Sequence, residues 1–181
     1  VSASLQDIIR QHLEVYGDMK EFADKVRIQI NDTHPAFIIA ELMRVLTNDH
    51  EHKFEEAFEI VKEVCSYTNH TVLKEALEEW DINHIKEILP AQYHMVERLN
   101  YMFCSQLRSK YPNDEEKVRR MSIIEGGKIK MAHLAIVGSH KVNGVAALHT
   151  DIIKEKLFKD FSEMMPEKFV NVTNGVTQRR W

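Results

Sequence analysis

The sequence predicts a helix-rich α/β fold. Amphipathic helical repeats fill most of the chain, and residues 26–30 alternate apolar and polar positions with β-branched side chains, the pattern of a strand. That strand runs straight into a polar turn and another helix, the local order of a layered α/β domain. A chain of 181 residues, 44% apolar and 29% charged, can bury a core of its own. The formal net charge of -4 argues against general attraction to nucleic acid or to an anionic membrane, and neither is expected as a partner. No apolar run approaches the ~18 residues of a membrane span. Cys65 and Cys104 both fall in helical, partly apolar stretches and read as free thiols of a reducing compartment, so a cytoplasmic location is expected.

The elements follow in order. Residues 3–16 carry Leu5, Ile8, Ile9, Leu13 and Tyr16 at helical spacing, and Gly17 ends that helix. The strand at 26–30 stops at Asn31-Asp32-Thr33-His34-Pro35, where Pro35 suits the first position of a helix bearing Phe37, Ile38, Leu42 and Val45. A helix over 53–66 leads to the polar break Tyr67-Thr68-Asn69-His70-Thr71. Short helices are expected near 74–79 and 82–89, and the longest helical pattern covers 91–110. Pro112-Asn113-Asp114 opens an acidic helix start, and Gly126-Gly127 breaks the chain. Residues 129–137 read as helix, Val142-Asn143-Gly144-Val145 as a turn, 148–163 as one or two helices, and 169–172 as a short strand before Thr173-Asn174-Gly175. One clear strand and two or three others are too few for a complete α/β sheet. With no starting Met and the aromatic Trp181 at its close, the chain is expected to be part of a longer protein.

Chemistry concentrates in three polar stretches. Asp32-Thr33-His34 sits at the carboxyl end of a strand, where ligands of open α/β sheets collect, and its carboxylate, hydroxyl and imidazole suit the many hydroxyls of a sugar. The alternative there is helix capping by Asp32 or Thr33. His70, between helices and followed by Glu75, Glu78 and Glu79, can donate or accept near neutral pH, or can simply be a packed or surface histidine. Gly175 permits a sharp turn that presents Asn174, or a turn with no further role. The trio His50-Glu51-His52 lacks the spacing that puts two ligands on one helix face, so no metal site is expected. No phosphate-binding glycine loop and no nucleophile elbow occur.

Read together, these stretches resemble the α-glucan (glycogen and maltodextrin) phosphorylase family. The resemblance rests on Ser4-Leu5-Gln6-Asp7-Ile8-Ile9-Arg10, on Ile28-Gln29-Ile30-Asn31-Asp32-Thr33-His34-Pro35, on Tyr67-Thr68-Asn69-His70-Thr71-Val72-Leu73 with Glu75-Ala76-Leu77-Glu78, on Met131-Ala132-His133-Leu134 through Gly138-Ser139-His140 to Val142-Asn143-Gly144-Val145, and on Lys168-Phe169 through Thr173-Asn174-Gly175-Val176-Thr177. The match runs in order over essentially the whole chain. It implies two Rossmann-like domains of the GT-B type facing across a cleft. Residues 1–181 would be the last, partial portion of the first, glucan-binding domain, with the pyridoxal phosphate domain outside the chain.

The resemblance also implies the reaction: phosphorolysis of an α-1,4-glucan end to glucose 1-phosphate, with pyridoxal phosphate as cofactor and an oxocarbenium-like transition state. It implies a catalytic contact from His70, through its ring to the glucose 6-hydroxyl and through its backbone carbonyl near the anomeric centre. Asn174 would hold the same hydroxyl, Asp32 and His34 would line the glucan side, and Thr71 and Glu78 would be nearby pocket residues. The pyridoxal-binding lysine and the phosphate-binding basic groups have no counterpart here, so the chain alone is expected to be inactive. It would work with glucan, phosphate and the remainder of its protein, as a homodimer when complete. Lys74 and Gln178 stand where the family often has proline. Two other function classes remain open on the residues themselves: a non-catalytic glucan-binding or helical interaction module, and a nucleotide-sugar transferase of the same architecture.

Overall fold

A computed structural model describes residues 1–180. Trp181, which contributed to the expectation of a longer protein, lies outside the described residues. The fold is α/β and helix-rich, built around a parallel sheet of β1 (Ile28–Asn31), β2 (Cys65–Thr68), β6 (Lys141–Gly144) and β7 (Phe169–Asn171), paired in that order. The register sets Asn31 beside Thr68, Thr68 beside Asn143, and Gly144 beside Asn171, so the carboxyl ends of these strands form one edge.

Parallel neighbours need long crossovers, and helices supply them. The helix α3 (Ile38–Arg44), a π-helical turn (Val45–Asp49) and α4 (Phe54–Val64) join β1 to β2. Between β2 and β6 lie α5 (Ile82–Ile88), the long α6 (Pro90–Lys110), α7 (Glu115–Met121), α8 (Met131–Val137) and a second, three-stranded antiparallel sheet of β3 (Glu79–Asp81), β5 (Lys128–Lys130) and β4 (Ile124–Glu125). From β6 the chain returns to β7 through α9 (Ala147–Ile152), a second π-helical turn and α10 (Lys159–Met164). Ahead of the sheet are α1 (Ser2–Tyr16), which buries Leu5, Ile9 and His12, and the one-turn helix α2 (Phe22–Lys25).

One face of the parallel sheet enters the core through Ile30, Cys65, Tyr67, Val142 and Phe169. The other face is polar: Ser66 Oγ donates to Gln29 Oε1 (2.6 Å), Gln29 Nε2 to Thr68 Oγ1 (2.7 Å), and Thr68 Oγ1 to Asn143 Oδ1 (2.7 Å). Both cysteines are buried and unpaired, and burial pushes the Cys65 thiol up to about 12. Among the described residues no helix is long and apolar enough to cross a membrane.

Several expectations need correction. The helix expected over 53–66 ends at Val64, and Cys65 turns extended, so the polar break begins as a strand and Cys65 is not helical. Val142-Asn143-Gly144 is a strand, not a turn: parallel partners on both sides override the local Asn-Gly signal. The segment 74–79 holds only a 3₁₀ turn before β3, and residues 128–130 are strand before α8 begins. Sheet content is thus higher than expected: apart from β1, whose alternation shows, and β7, the strands span two to four residues and carry no local signal strong enough to read. The break at Gly126-Gly127 is a hairpin tip with both glycines at positive φ (57° and 77°), the geometry of a two-residue turn joining β4 to β5.

Candidate functional site

The carboxyl edge of the parallel sheet brings the predicted polar stretches together. Asp32-Thr33-His34 follows β1, which ends on Asn31, Asn69-His70-Thr71 follows β2, Val145 follows β6, and Thr173-Asn174 follows β7. The alignment is a consequence of register: each strand ends within a residue of its neighbour, so each following loop emerges at the same level.

After β1 the chain turns sharply. Asp32 adopts the left-handed region (φ 71°) while its Oδ1 accepts the Thr33 N–H at 2.7 Å. Neither Asp32 nor Thr33 caps the next helix. Successive tight turns delay α3 to Ile38, beyond Pro35, and α3 has no side-chain cap. Thr33 instead donates from Oγ1 to Glu78 Oε2 (2.6 Å), and His34 Nδ1 lies 3.1 Å from Glu78 Oε1. The Glu78 hydrogen bond, reinforced by its charge, raises the His34 pKa above the ordinary histidine value. Burial alone would raise Glu78, but the Thr33 and His34 hydrogen bonds outweigh it and hold the carboxylate low. Glu78 thus belongs with Thr33 and His34 although they are far apart in sequence.

His70 is exposed, and its Nε2 approaches Asn31 Oδ1 at 2.6 Å. With the amide oxygen accepting, Nε2 carries the proton and Nδ1 is left for a ligand. The loop behind it is tied down by hydrogen bonds. Asn69 is fully buried, donates from Nδ2 to the Tyr67 hydroxyl (3.0 Å), accepts the Thr71 N–H on Oδ1 (3.1 Å), and donates its own N–H to the Asn143 carbonyl (3.0 Å). Burial raises the Tyr67 phenol well above its ordinary value, so it stays neutral. Asn174 is exposed, with its backbone N–H on the Val145 carbonyl at 2.9 Å.

Sequence reasoning passed over Asn31, which orients His70, and His149, whose ring reaches Thr71 O (3.2 Å) and the Val145 N–H (3.0 Å). Neither shows a local signal, because each bond spans chain segments that only the sheet brings together. An open cavity of about 700 Å³ lies between the small sheet and α10, with Arg119, His133 and Phe158 in its lining; of the predicted site residues it reaches only Glu78. Burial pushes His133 there down to about 4, and its Nδ1 contacts the Ser122 carbonyl (2.9 Å). Burial lowers the Lys168 amine to about 8, but Lys168 precedes β7 at the opposite end of that strand and donates to the Ile136 and Val137 carbonyls. Among the described residues no group of three or more His, Cys, Asp or Glu could hold a metal ion. The edge offers neutral amides, imidazoles and carboxylates, a donor and acceptor set for hydroxyl groups rather than for an anion.

Comparison with known proteins gives one consistent result. The family model described as carbohydrate phosphorylase matches residues 1–181. The glycogen phosphorylase of Synechocystis sp. is 48% identical over 184 residues, covering 100% of this chain and 22% of that protein. The muscle form of glycogen phosphorylase from Ovis aries and the brain form from Homo sapiens are each 46% identical over 192 residues, again covering 100% of this chain and 23% of theirs. The chain therefore spans under a quarter of the length of these relatives.

Proposed function

Because the chain belongs to the carbohydrate phosphorylase family, we propose that it forms one wall of the sugar cleft of an α-1,4-glucan phosphorylase that releases glucose 1-phosphate. The observation that carries this reading is the single row of sugar-competent groups along the carboxyl edge: Asn31 at the end of β1 and Asp32 just after it, His70 after β2, Asn174 after β7. In this reading the chain is the later part of the first domain of a two-domain GT-B-type enzyme, and the rest of the protein supplies the opposite wall.

His70 holds the 6-hydroxyl of the terminal glucose on its bare Nδ1, Asn174 shares that hydroxyl, and Asp32, His34, Thr71 and Glu78 border the glucan path. Positive charge grows on the sugar ring as the glycosidic bond breaks, and oriented acceptors stabilise it. Pyridoxal phosphate supplies the phosphate-assisted proton chemistry when bound. Within this chain the amine that burial lowers, Lys168, is occupied with helix carbonyls away from the edge and does not fit the cofactor; in this reading the cofactor's lysine and the substrate-phosphate cations belong to the remaining protein. A cytoplasmic homodimer acting on glucan and phosphate, with no nucleic acid or membrane partner, completes the reading.

The test is to incubate maltoheptaose and inorganic phosphate with the complete protein and with the 181-residue chain alone. Glucose 1-phosphate is expected from the former and none from the latter. A complete protein that makes none, or that consumes a nucleotide sugar instead, overturns the reading.

A further inference from the structure

We infer that His149 is a positioning residue that locks the His70 loop and the Asn174 loop to each other through one fixed tautomer. The inference rests on the phosphorylase reading above for what those loops hold. Its own evidence is a closed set of hydrogen bonds around a half-buried imidazole.

His149 lies in the first turn of α9, the third residue after Ala146, which stands at the helix N-cap. From there its ring folds back, and Nδ1 accepts the Val145 N–H at 3.0 Å. A backbone amide can only donate, so Nδ1 is bare and the proton of the neutral ring is on Nε2. Nε2 lies 3.2 Å from the Thr71 carbonyl, which can only accept. Both contacts demand the same tautomer. The Val145 carbonyl in turn accepts the Asn174 N–H at 2.9 Å. One imidazole therefore connects the residue after His70 with the residue whose carbonyl pins Asn174.

The neighbouring side chain completes the clamp. Thr150 Oγ1 lies within hydrogen-bond reach of the Ala146 carbonyl (2.9 Å) and of Asn171 Oδ1 at the end of β7 (3.0 Å). The helix can approach this closely only because residue 144 is glycine: a Cβ there would lie 2.9 Å from Thr150 Cα and 3.0 Å from Thr150 N. Consecutive residues of α9 thus hold the β2 loop and the end of β7, with β6 between them. Two loops that must present hydroxyl-binding groups to one sugar are set at a fixed spacing by a residue that touches neither the sugar nor the reacting atoms.

The test uses the complete enzyme, in a double-mutant cycle of His149→Ala and His70→Ala assayed by phosphorolysis of maltoheptaose. Alone, His149→Ala is expected to lower kcat roughly ten- to a hundred-fold with little change in KM, since misplacement of reacting groups by about 1 Å costs up to that much. In the His70→Ala background the same change is expected to cost several-fold less, because the part of its effect that passes through His70 is already lost. His149→Asn, whose Oδ1 can replace Nδ1 toward Val145, is expected to recover part of the loss. An equal cost in both backgrounds, or an unchanged kcat, overturns the inference. So does neutron diffraction of the wild-type enzyme showing hydrogen on His149 Nδ1, a measurement that does not depend on the variants folding. A wild-type enzyme without phosphorolytic activity refutes the functional reading instead and leaves the tautomer measurement standing.

Discussion

Replacing Glu41 by glutamine should destabilise the protein at neutral pH, and the loss should shrink in acid. Glu41 is 4% exposed on α3 and ties three helices together. Its Oε1 receives Ser2 Oγ from α1 (2.6 Å) and Arg44 Nη2 (2.9 Å), and its Oε2 receives Arg44 Nε (3.0 Å) and Gln92 Nε2 from α6 (2.6 Å). Burial alone would raise this carboxyl, but the hydrogen bonds from Arg44, Ser2 and Gln92 and the Arg44 charge bring it down from 4.5 to about 2. At ~1.4 kcal/mol per tenfold change in proton affinity, that difference corresponds to about 3 kcal/mol of folding stability. In Glu41→Gln the amide nitrogen must face donors whichever way it turns, so a loss of about 3 kcal/mol is expected at pH 7. The folded pKa is depressed, so this stabilisation is complete above the unfolded value of 4.5 and is lost as pH falls toward 2. About 2 kcal/mol of it should be gone by pH 3. Urea unfolding followed by circular dichroism at both pH values measures the gap. Equal stability of the two proteins at pH 7, or an unchanged gap at pH 3, would refute the reasoning.

Gly144→Ala should destabilise by about 1–3 kcal/mol and lower kcat of the complete enzyme, because the added methyl meets the backbone of Thr150, which no rotamer change can move aside; unfolding midpoints and phosphorolysis rates measure the two effects. The His34 titration midpoint, followed by NMR, should fall toward 6.5 in Glu78→Gln, since Glu78 is the first cause of its raised pKa. What stability that pair adds is present below the unfolded midpoint and disappears as pH rises through the folded one. His133 has the opposite sign: with a folded pKa of about 4, its half-buried neutral ring should make stability fall as pH drops from 6.5 toward 4, and His133→Asn should flatten that slope in pH-dependent unfolding.

The long elements were legible in sequence because their periodicity is long. The repeats of α1 and α6 each announce one buried face, and β1, though short, alternates cleanly through Ile28-Gln29-Ile30. Two other short strands were not legible. Cys65–Thr68 follows α4 without a breaker, and Lys141–Gly144 carries an Asn-Gly pair that imitates a turn; only pairing across the sheet makes either one extended. The same limit applies to the site. Asp32, His34, His70 and Asn174 stood out as polar groups next to turns, and their motifs carried the family. Asn31 and His149 stood out only once β1, β2 and β6 were side by side, because their partners are 39 and 78 residues away. The capping role considered for Asp32 and Thr33 failed for a related reason: Glu78, distant in sequence, takes the Thr33 hydroxyl.

The central claim is that this edge of the sheet holds the glucose undergoing transfer, with His70 as its foremost contact. The most direct measurement is the steady-state kinetics of His70→Ala in the complete enzyme with maltoheptaose and phosphate. Loss of a hydrogen bond made chiefly in the transition state costs ~2.7–4 kcal/mol, so kcat should fall roughly a hundred- to a thousand-fold. An unchanged kcat with only a weakened KM would contradict the account, since it would make His70 a ground-state contact alone.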